Sequence, residues 1–201
     1  MIRRAIDILA SLVLLVIAAP LLALIALAVW LDSGAPLLFR QTRAGLGVRP
    51  FTLLKFRTMR VRPGDGPLAA EGHLAITRSG AFLRATKLDE LPQLWNILRG
   101  EMSIIGPRPE VFDFVDRHRE AFAKLLKVKP GLVDPASIAY FDEGAMLAAS
   151  DDPAAAYERE ILPRKLQLSS EYAAKRSAAS DLVLIAAALR LCTRKLLAYG
   201  S

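Results

Sequence analysis

Lys87-Leu88-Asp89-Glu90-Leu91-Pro92-Gln93 is the stretch on which the reading of this chain turns. Two adjacent carboxylates repel each other, and flanking leucines exclude the water that would screen them, so the pair needs either a raised pKa or a cation. Magnesium, a hard oxygen-seeking ion, is the simplest cation. One carboxylate could hold it while the other attacks an electrophile that the ion polarises. As local structure, Asp89 reads as an N-cap, Pro92 falls in the first turn, and Leu91, Leu94, Trp95 and Leu98 form an apolar stripe that Gly100 ends. The acids then sit at the positive end of a helix dipole, which favours an ionised carboxylate and a nearby phosphate alike. The plainer alternative is that Asp89 caps the helix and Glu90 supports its first turn.

Working outward, composition narrows the partners. The chain has 201 residues and a formal net charge of +7, with a sequence pI near 9.9, which calls for an anionic partner: nucleic acid, anionic lipid or a phosphorylated small molecule. Cys192 is the only cysteine, which excludes an intrachain disulfide and a thiolate metal cluster. With His73 and His118 the only histidines, a histidine zinc site has too few ligands.

Leu12 to Leu31 carries no charged or polar side chain, and twenty such residues make a helix of about 30 Å, enough to cross a hydrocarbon core. Pro20 falls near the middle of the run, where it predicts a kink or break. Arg3 and Arg4 precede the segment and Arg40, Arg43 and Arg49 follow it. Basic residues on both flanks suit a helix-break-helix hairpin whose two ends stay on the cytoplasmic side, although a spanning helix also tolerates proline. Asp7 could pair with Arg3 or Arg4 at the interface. A membrane segment also makes nucleic-acid binding remote, so no nucleic-acid partner is expected.

Past Asp32-Ser33-Gly34 the pattern changes. Leu37 to Arg40 and Phe51 to Met59, separated by a glycine-containing loop, predict a β-hairpin. Its two-residue period puts Lys55 and Arg57 on one face, where two cations could grip a diphosphate or simply face solvent. Arg60 to Gly72 predicts a surface loop that could act as a lid. Arg84 and Lys87 precede the acid pair. Downstream, Gly106-Pro107-Arg108-Pro109 holds Arg108 out of helical geometry, which preorganises its guanidinium for bidentate phosphate binding or leaves it in a structural turn. Glu110 to Lys127 predicts an amphipathic helix. Pro153 and Pro163 each predict a helix start, and Ser180-Asp181 a cap on a last apolar helix. That helix, with Leu182, Ile185, Leu189, Leu196 and Leu197 beside Arg190, Arg194 and Lys195, could lie flat on a bilayer, pack in a core or form an oligomer contact.

Taken together, the motifs resemble the bacterial sugar transferase family, the monotopic phosphoglycosyl transferases that start cell-surface glycan synthesis. The likeness covers nearly the whole chain. It is carried by Phe39 to Arg43, Lys55-Phe56-Arg57-Thr58-Met59, Leu88 to Leu94, Met102-Ser103, Gly106 to Pro109, Lys129-Pro130-Gly131-Leu132 and Ile161-Leu162-Pro163, in that order. The resemblance implies transfer of a sugar-1-phosphate from a UDP-sugar to polyprenol (undecaprenyl) phosphate at the cytoplasmic face of a bacterial inner membrane. Asp89 would attack the phosphate that bears the sugar and release UMP, and polyprenol phosphate would then displace the aspartyl intermediate. Glu90, with Asp89, would hold Mg2+, and Arg108, Lys55, Arg57 and Arg84 would neutralise the phosphates.

The implied fold is α+β: a re-entrant helix hairpin over 1–33, broken at Pro20, then a small, mostly helical catalytic domain over 34–201 with a short β-hairpin and interfacial helices. The multi-helix N-terminal domain of larger members has no counterpart, so a compact catalytic form is expected, with room for a homodimer. Two departures stand out. Ala19 replaces the serine that usually precedes the proline, and Val133-Asp134-Pro135-Ala136 replaces the usual polar residue, glycine, variable residue and alanine. An inactive lipid-binding or scaffolding protein is the competing reading, although a scaffold has no need of the acid pair.

Overall fold

The computed structural model describes residues 2–60 and 76–199, with the side chains of residues 145 and 148 left aside. It is mostly helical with two small sheets, in keeping with the α+β expectation. Past Arg60, the lid expected over Arg60 to Gly72 lies outside the described residues, as does His73.

Helix α1 spans Ile2–Ser33 and runs through Pro20 without interruption. This corrects the expected break. A proline in a helix forfeits the bond to the carbonyl four residues back, here that of Val16, and both residues are exposed. A helix lying along a core tolerates lengthened bonds on its outer face. The inner face explains why the helix is continuous. Arg4, Asp7, Ser11, Leu15, Ala18, Leu22, Ile25, Val29 and Asp32 are buried or half-buried at steps of three or four, a single helical stripe laid on the rest of the protein. Asp7 does not pair with Arg3 or Arg4. Its carboxylate accepts from the Ser103 hydroxyl at 3.1 Å and the Ile104 N–H at 3.0 Å. Arg4 donates to the carbonyls of Ile97 and Leu98 at 2.5 and 2.7 Å, at a helix C-terminus where Ile97 also accepts from the Gly100 N–H.

The predicted hairpin forms. β1 (Leu38–Ala44) and β2 (Pro50–Phe56) pair antiparallel, with Phe39 opposite Lys55. Thr77 caps α2 (Arg78–Thr86), its hydroxyl accepting from the Gly80 N–H. α3 (Gln93–Arg99) ends at Gly100, whose φ of 83° is the left-handed conformation read from the sequence. Asn96 fixes α3 to β2 by accepting from the Leu54 N–H and donating to the Thr52 carbonyl. β3 (Ser103–Ile105) pairs in parallel with β4 (Gly131–Val133). The helix predicted over Glu110 to Lys127 is divided at His118 into α4 (Phe112–Arg117) and α5 (Arg119–Leu125).

Beyond β4 come α6 (Pro135–Ala139), α7 (Glu143–Ala148) and α8 (Pro153–Ala156), the last starting at Pro153 as its sequence predicts and capped by Asp152. A π-helical turn over Tyr157–Ile161 then leads into α9 (Leu162–Lys175), so Pro163 sits in the first turn of a continuing helix and does not open a separate one. α10 (Ala178–Tyr199) is capped by Ser177, three residues ahead of the expected Ser180-Asp181, through the Ser180 N–H.

Three apolar clusters support this frame. Ile25, Val29, Phe56 and Leu83 pack with Leu88 and Leu91. Leu53, Leu94, Ile97 and Met102 pack with Leu91 and Leu15. Phe114, Val115, Phe122, Leu126, Ile161 and Leu162 form the third beneath α9. Outside them, Trp30, Trp95, Leu182, Val183, Leu189 and Leu197 are exposed, and no residue of α10 is buried.

Candidate active site

Lys87 ends α2 in the left-handed conformation, φ 60°, unusual for a residue with a side chain. The reversal starts a single 3-10 turn, Leu88–Glu90. Leu88 and Leu91 enter the apolar clusters on either side of it, and Asp89 and Glu90 are left buried between them. Asp89 is therefore not the N-cap of α3. Pro92 occupies that position, without a side-chain cap.

The two acids differ sharply in surroundings. Arg108 donates to both oxygens of Glu90, at 2.7 Å to Oε1 and 3.3 Å to Oε2, and Lys55 Nζ reaches Oε1 at 3.2 Å. Burial works against the Glu90 charge, but Arg108 and Lys55 outweigh it and hold this carboxyl well below the usual range. Asp89 Oδ1 is buried without a partner. Burial, then the Glu90 charge, push the Asp89 pKa up, while Lys55, Lys87 and Arg84 pull it down. One acid is locked as an anion in a bidentate clamp. Its neighbour keeps an unused oxygen.

The structure thus brings Asp89, Glu90, Lys55 and Arg108 together. Arg84 is exposed, within electrostatic reach of Asp89 and in contact with Met59 Sδ at 3.6 Å. Arg57 is elsewhere: its guanidinium donates to the carbonyls of Ser33, Gly34 and Ala35 and to the Ser33 hydroxyl, at 2.6 to 3.0 Å. It fastens the end of α1 and the residues that follow it and is not a free phosphate ligand, because each terminal nitrogen already serves a backbone carbonyl there.

Lys87, which the sequence sets just ahead of the acids, stays with them, and Phe141 and Gln93 join the site without having been placed in it by sequence reasoning. Lys87 lies beside the acids and over the Phe141 ring at 4.8 Å. Burial pushes its pKa down, against the pull of Glu90. Phe141 comes from the segment between α6 and α7, and no local pattern announces it. Gln93, at 2 % exposure, has a buried amide nitrogen without a partner. Its place in the motif was visible, but not its burial.

Behind Arg108 runs a second buried group. Arg43 pairs with Glu110 at 2.9 Å, Tyr157 donates its hydroxyl to Glu110, and Lys165 reaches the Tyr157 oxygen at 3.1 Å and Glu143 at 2.7 Å.

Among the described residues no three His, Cys, Asp or Glu side chains gather as a metal cluster. Magnesium commonly needs only one or two carboxylates, taking its other ligands from substrate phosphates and water. Asp89 Oδ1 has no partner and Glu90 Oε2 receives one long contact, so this pair has acceptor capacity for an ion carried on a diphosphate.

The site sets a buried acid pair in a cationic clamp, beside a helix long and apolar enough to cross a membrane. The family model described as bacterial sugar transferase matches residues 1–195, and the chain belongs to that family. It is 46% identical over 142 residues to a UDP-glucose:undecaprenyl-phosphate glucose-1-phosphate transferase of Caulobacter vibrioides, covering 68% of this chain and 53% of that protein. A transferase of the same name from Escherichia coli is 42% identical over 143 residues, covering 69% of this chain and 31% of that protein. A UDP-N-acetylgalactosamine-undecaprenyl-phosphate N-acetylgalactosaminephosphotransferase of Aeromonas hydrophila is 41% identical over 118 residues, 58% of this chain and 28% of that protein. The chain thus spans about half the length of the first relative and under a third of the other two.

Proposed function

We propose that this protein is a phosphoglycosyl transferase that moves a sugar-1-phosphate from a UDP-sugar to undecaprenyl phosphate. The observation that carries the reading is the unpartnered, buried Asp89 oxygen beside a Glu90 held ionised by Arg108 and Lys55. An oxygen without hydrogen bonds, in a site that excludes water, is a stronger nucleophile than a solvated carboxylate. It would attack the phosphorus that carries the sugar, breaking the bond to the bridging oxygen, which leaves with UMP. An oxygen of the lipid phosphate would then attack the same phosphorus and restore the Asp89 carboxylate. Glu90 and Asp89 would hold Mg2+, which when bound supplies neutralisation of the diphosphate charge. Arg108 and Lys55 hold Glu90 in place and, with Lys87 and Arg84, make the local field positive where phosphates gather.

The membrane arrangement we infer is one-sided, on the cytoplasmic face of the inner membrane. Both ends of α1 are tied to the same domain, Arg4 to α3 and Asp32 to Ser79, which supports a continuous helix held against one face of the bilayer in place of the expected broken hairpin. Exposed Trp30 and Trp95 and the outward leucines of α10 suit the headgroup boundary, where a lipid phosphate would meet the site. The relatives' names differ in the sugar, so the sugar is left unassigned.

The test is incubation of purified protein with a UDP-sugar panel and magnesium, followed by intact mass. A sugar-phosphate adduct on Asp89, formed with release of UMP, is expected. An adduct mapped to another side chain would overturn the mechanism. No adduct and no UMP with any donor, from protein still bound to membrane, would favour a scaffold.

A further inference from the structure

We propose that Asp134 is a positioning residue for the Arg108 clamp, an inference that rests on the reading of Asp89 and Glu90 as the reacting pair. Prolines flank Arg108, so the tripeptide Pro107-Arg108-Pro109 has a single backbone N–H with which to fasten itself. That N–H donates to Asp134 Oδ2 at 3.3 Å. The rest of the loop is laced to the strand before Asp134. Gly106 N–H donates to the Val133 carbonyl at 3.1 Å and Gly131 N–H to the Pro107 carbonyl at 2.9 Å. The two backbones lie so close that a Cβ on Gly131 would meet the Gly106 nitrogen at 2.0 Å.

Asp134 is 1% exposed and is itself held, since the Ser169 hydroxyl of α9 lies 3.0 and 2.9 Å from its two oxygens. The buried Asp134 carboxylate directly fastens the Arg108 backbone and, through it, places the guanidinium on Glu90; the bond from Ser169 is one of several restraints on Asp134. Loss of such a tether shifts the clamp without removing any group from the site, and small misplacements cost rate more than binding.

The experiment compares Asp134→Ala, Asp134→Asn and Ser169→Ala in the full chain, with UMP release at saturating UDP-sugar and magnesium as the rate. Asp134→Ala should lower kcat about tenfold and change the donor KM by less than about threefold. Asp134→Asn keeps an acceptor oxygen and should restore most of the rate. Ser169→Ala leaves the bond to Arg108 and should stay within about twofold of wild type. In an Arg108→Ala background, with no guanidinium left to place, Asp134→Ala should cost nothing further in rate.

Hydrogen exchange of the peptide spanning 104–111 supplies a readout independent of substrate: exchange at the Arg108 amide should rise in Asp134→Ala and not in Ser169→Ala. The proposal is overturned if Ser169→Ala reproduces the whole loss, if the loss persists undiminished without Arg108, or if exchange there does not change. Absence of UMP release by the wild type would count against the enzyme reading alone, and the exchange result would still decide the tether.

Discussion

Two buried carboxylate clusters lie on either side of Arg108, and they are built to opposite rules. Around Glu110 the acid meets Arg43, the Tyr157 hydroxyl and the Val111 N–H, and Tyr157 in turn meets Lys165, which meets Glu143. Around Asp89, an equally buried acid has one oxygen unused next to a second negative charge. Leaving a buried polar atom unpaired costs about 1 to 3 kcal/mol; Ser11 Oγ, Ser137 Oγ and Arg57 Nε share that state, but among the described carboxylates it is found only at Asp89. The first cluster is scaffold. The second is the cluster at which the proposed reaction would take place.

Removing the unpaired acid tests that contrast hardest. Asp89→Asn keeps the shape and loses the nucleophile, so UMP release should fall about a thousandfold or more, with no covalent adduct by intact mass. Its melting temperature should equal or exceed that of wild type, because a repulsion with Glu90 disappears. A clear drop in stability with activity retained would make Asp89 another structural acid and erase the difference between the clusters.

Arg108→Ala comes next. It strips the bidentate partner from Glu90 and leaves Lys55 alone against a buried charge, so the rate should fall about a hundredfold and stability by about 3 kcal/mol in chemical denaturation. Here both readouts move, as expected of a residue shared by site and scaffold. Glu110→Gln should do the reverse of Asp89→Asn: a loss of about 2 kcal/mol, with UMP release within about threefold of wild type. Equal effects from Glu110→Gln and Asp89→Asn on turnover would show that the two clusters act as one.

How much of this was written in the sequence depends on the range of the interaction. The hairpin, the stop at Gly100 and the helix start at Pro153 are local, fixed by alternation, by a left-handed glycine and by a ring that suits a first helical turn, and each is found where its residues place it. That an anion buried among leucines requires a cation follows from charge, but the sequence pattern gives Lys55 and Arg108 to the phosphates, and their convergence on Glu90 comes only from tertiary packing. The fate of Arg57 does too. Its period matches that of Lys55, but its partners are the backbone carbonyls at and just past the end of α1, which depends on where that helix docks. Pro20 misled for the same reason: a local rule predicts a break, and a docked stripe from Arg4 to Asp32 overrides it. The Glu110, Tyr157, Lys165 and Glu143 chain is tertiary throughout and left no motif to read.

The smallest effect is also the most discriminating, because it asks for opposite signs from two acids in one fold. Burial opposes the Glu110 charge, but Arg43, Lys165 and the bonds from Tyr157 and Val111 hold its folded pKa below the usual 4.5. A depressed acid contributes stability that is present above its unfolded pKa and lost as pH falls through the folded value. The stability difference between wild type and Glu110→Gln should therefore shrink as pH drops below about 4.5. For Asp89, raised above 3.8 by burial and by Glu90, the linkage reverses. Its protonated form favours the fold, so its contribution is fully present below the unfolded pKa and is lost as pH rises through the folded one. The wild-type minus Asp89→Asn difference should then fall as pH rises from about 4. Parallel slopes for the two variants, read from urea melts across that range, would mean that Asp89 is paired in solution and that the unpaired oxygen is not what sets the site apart.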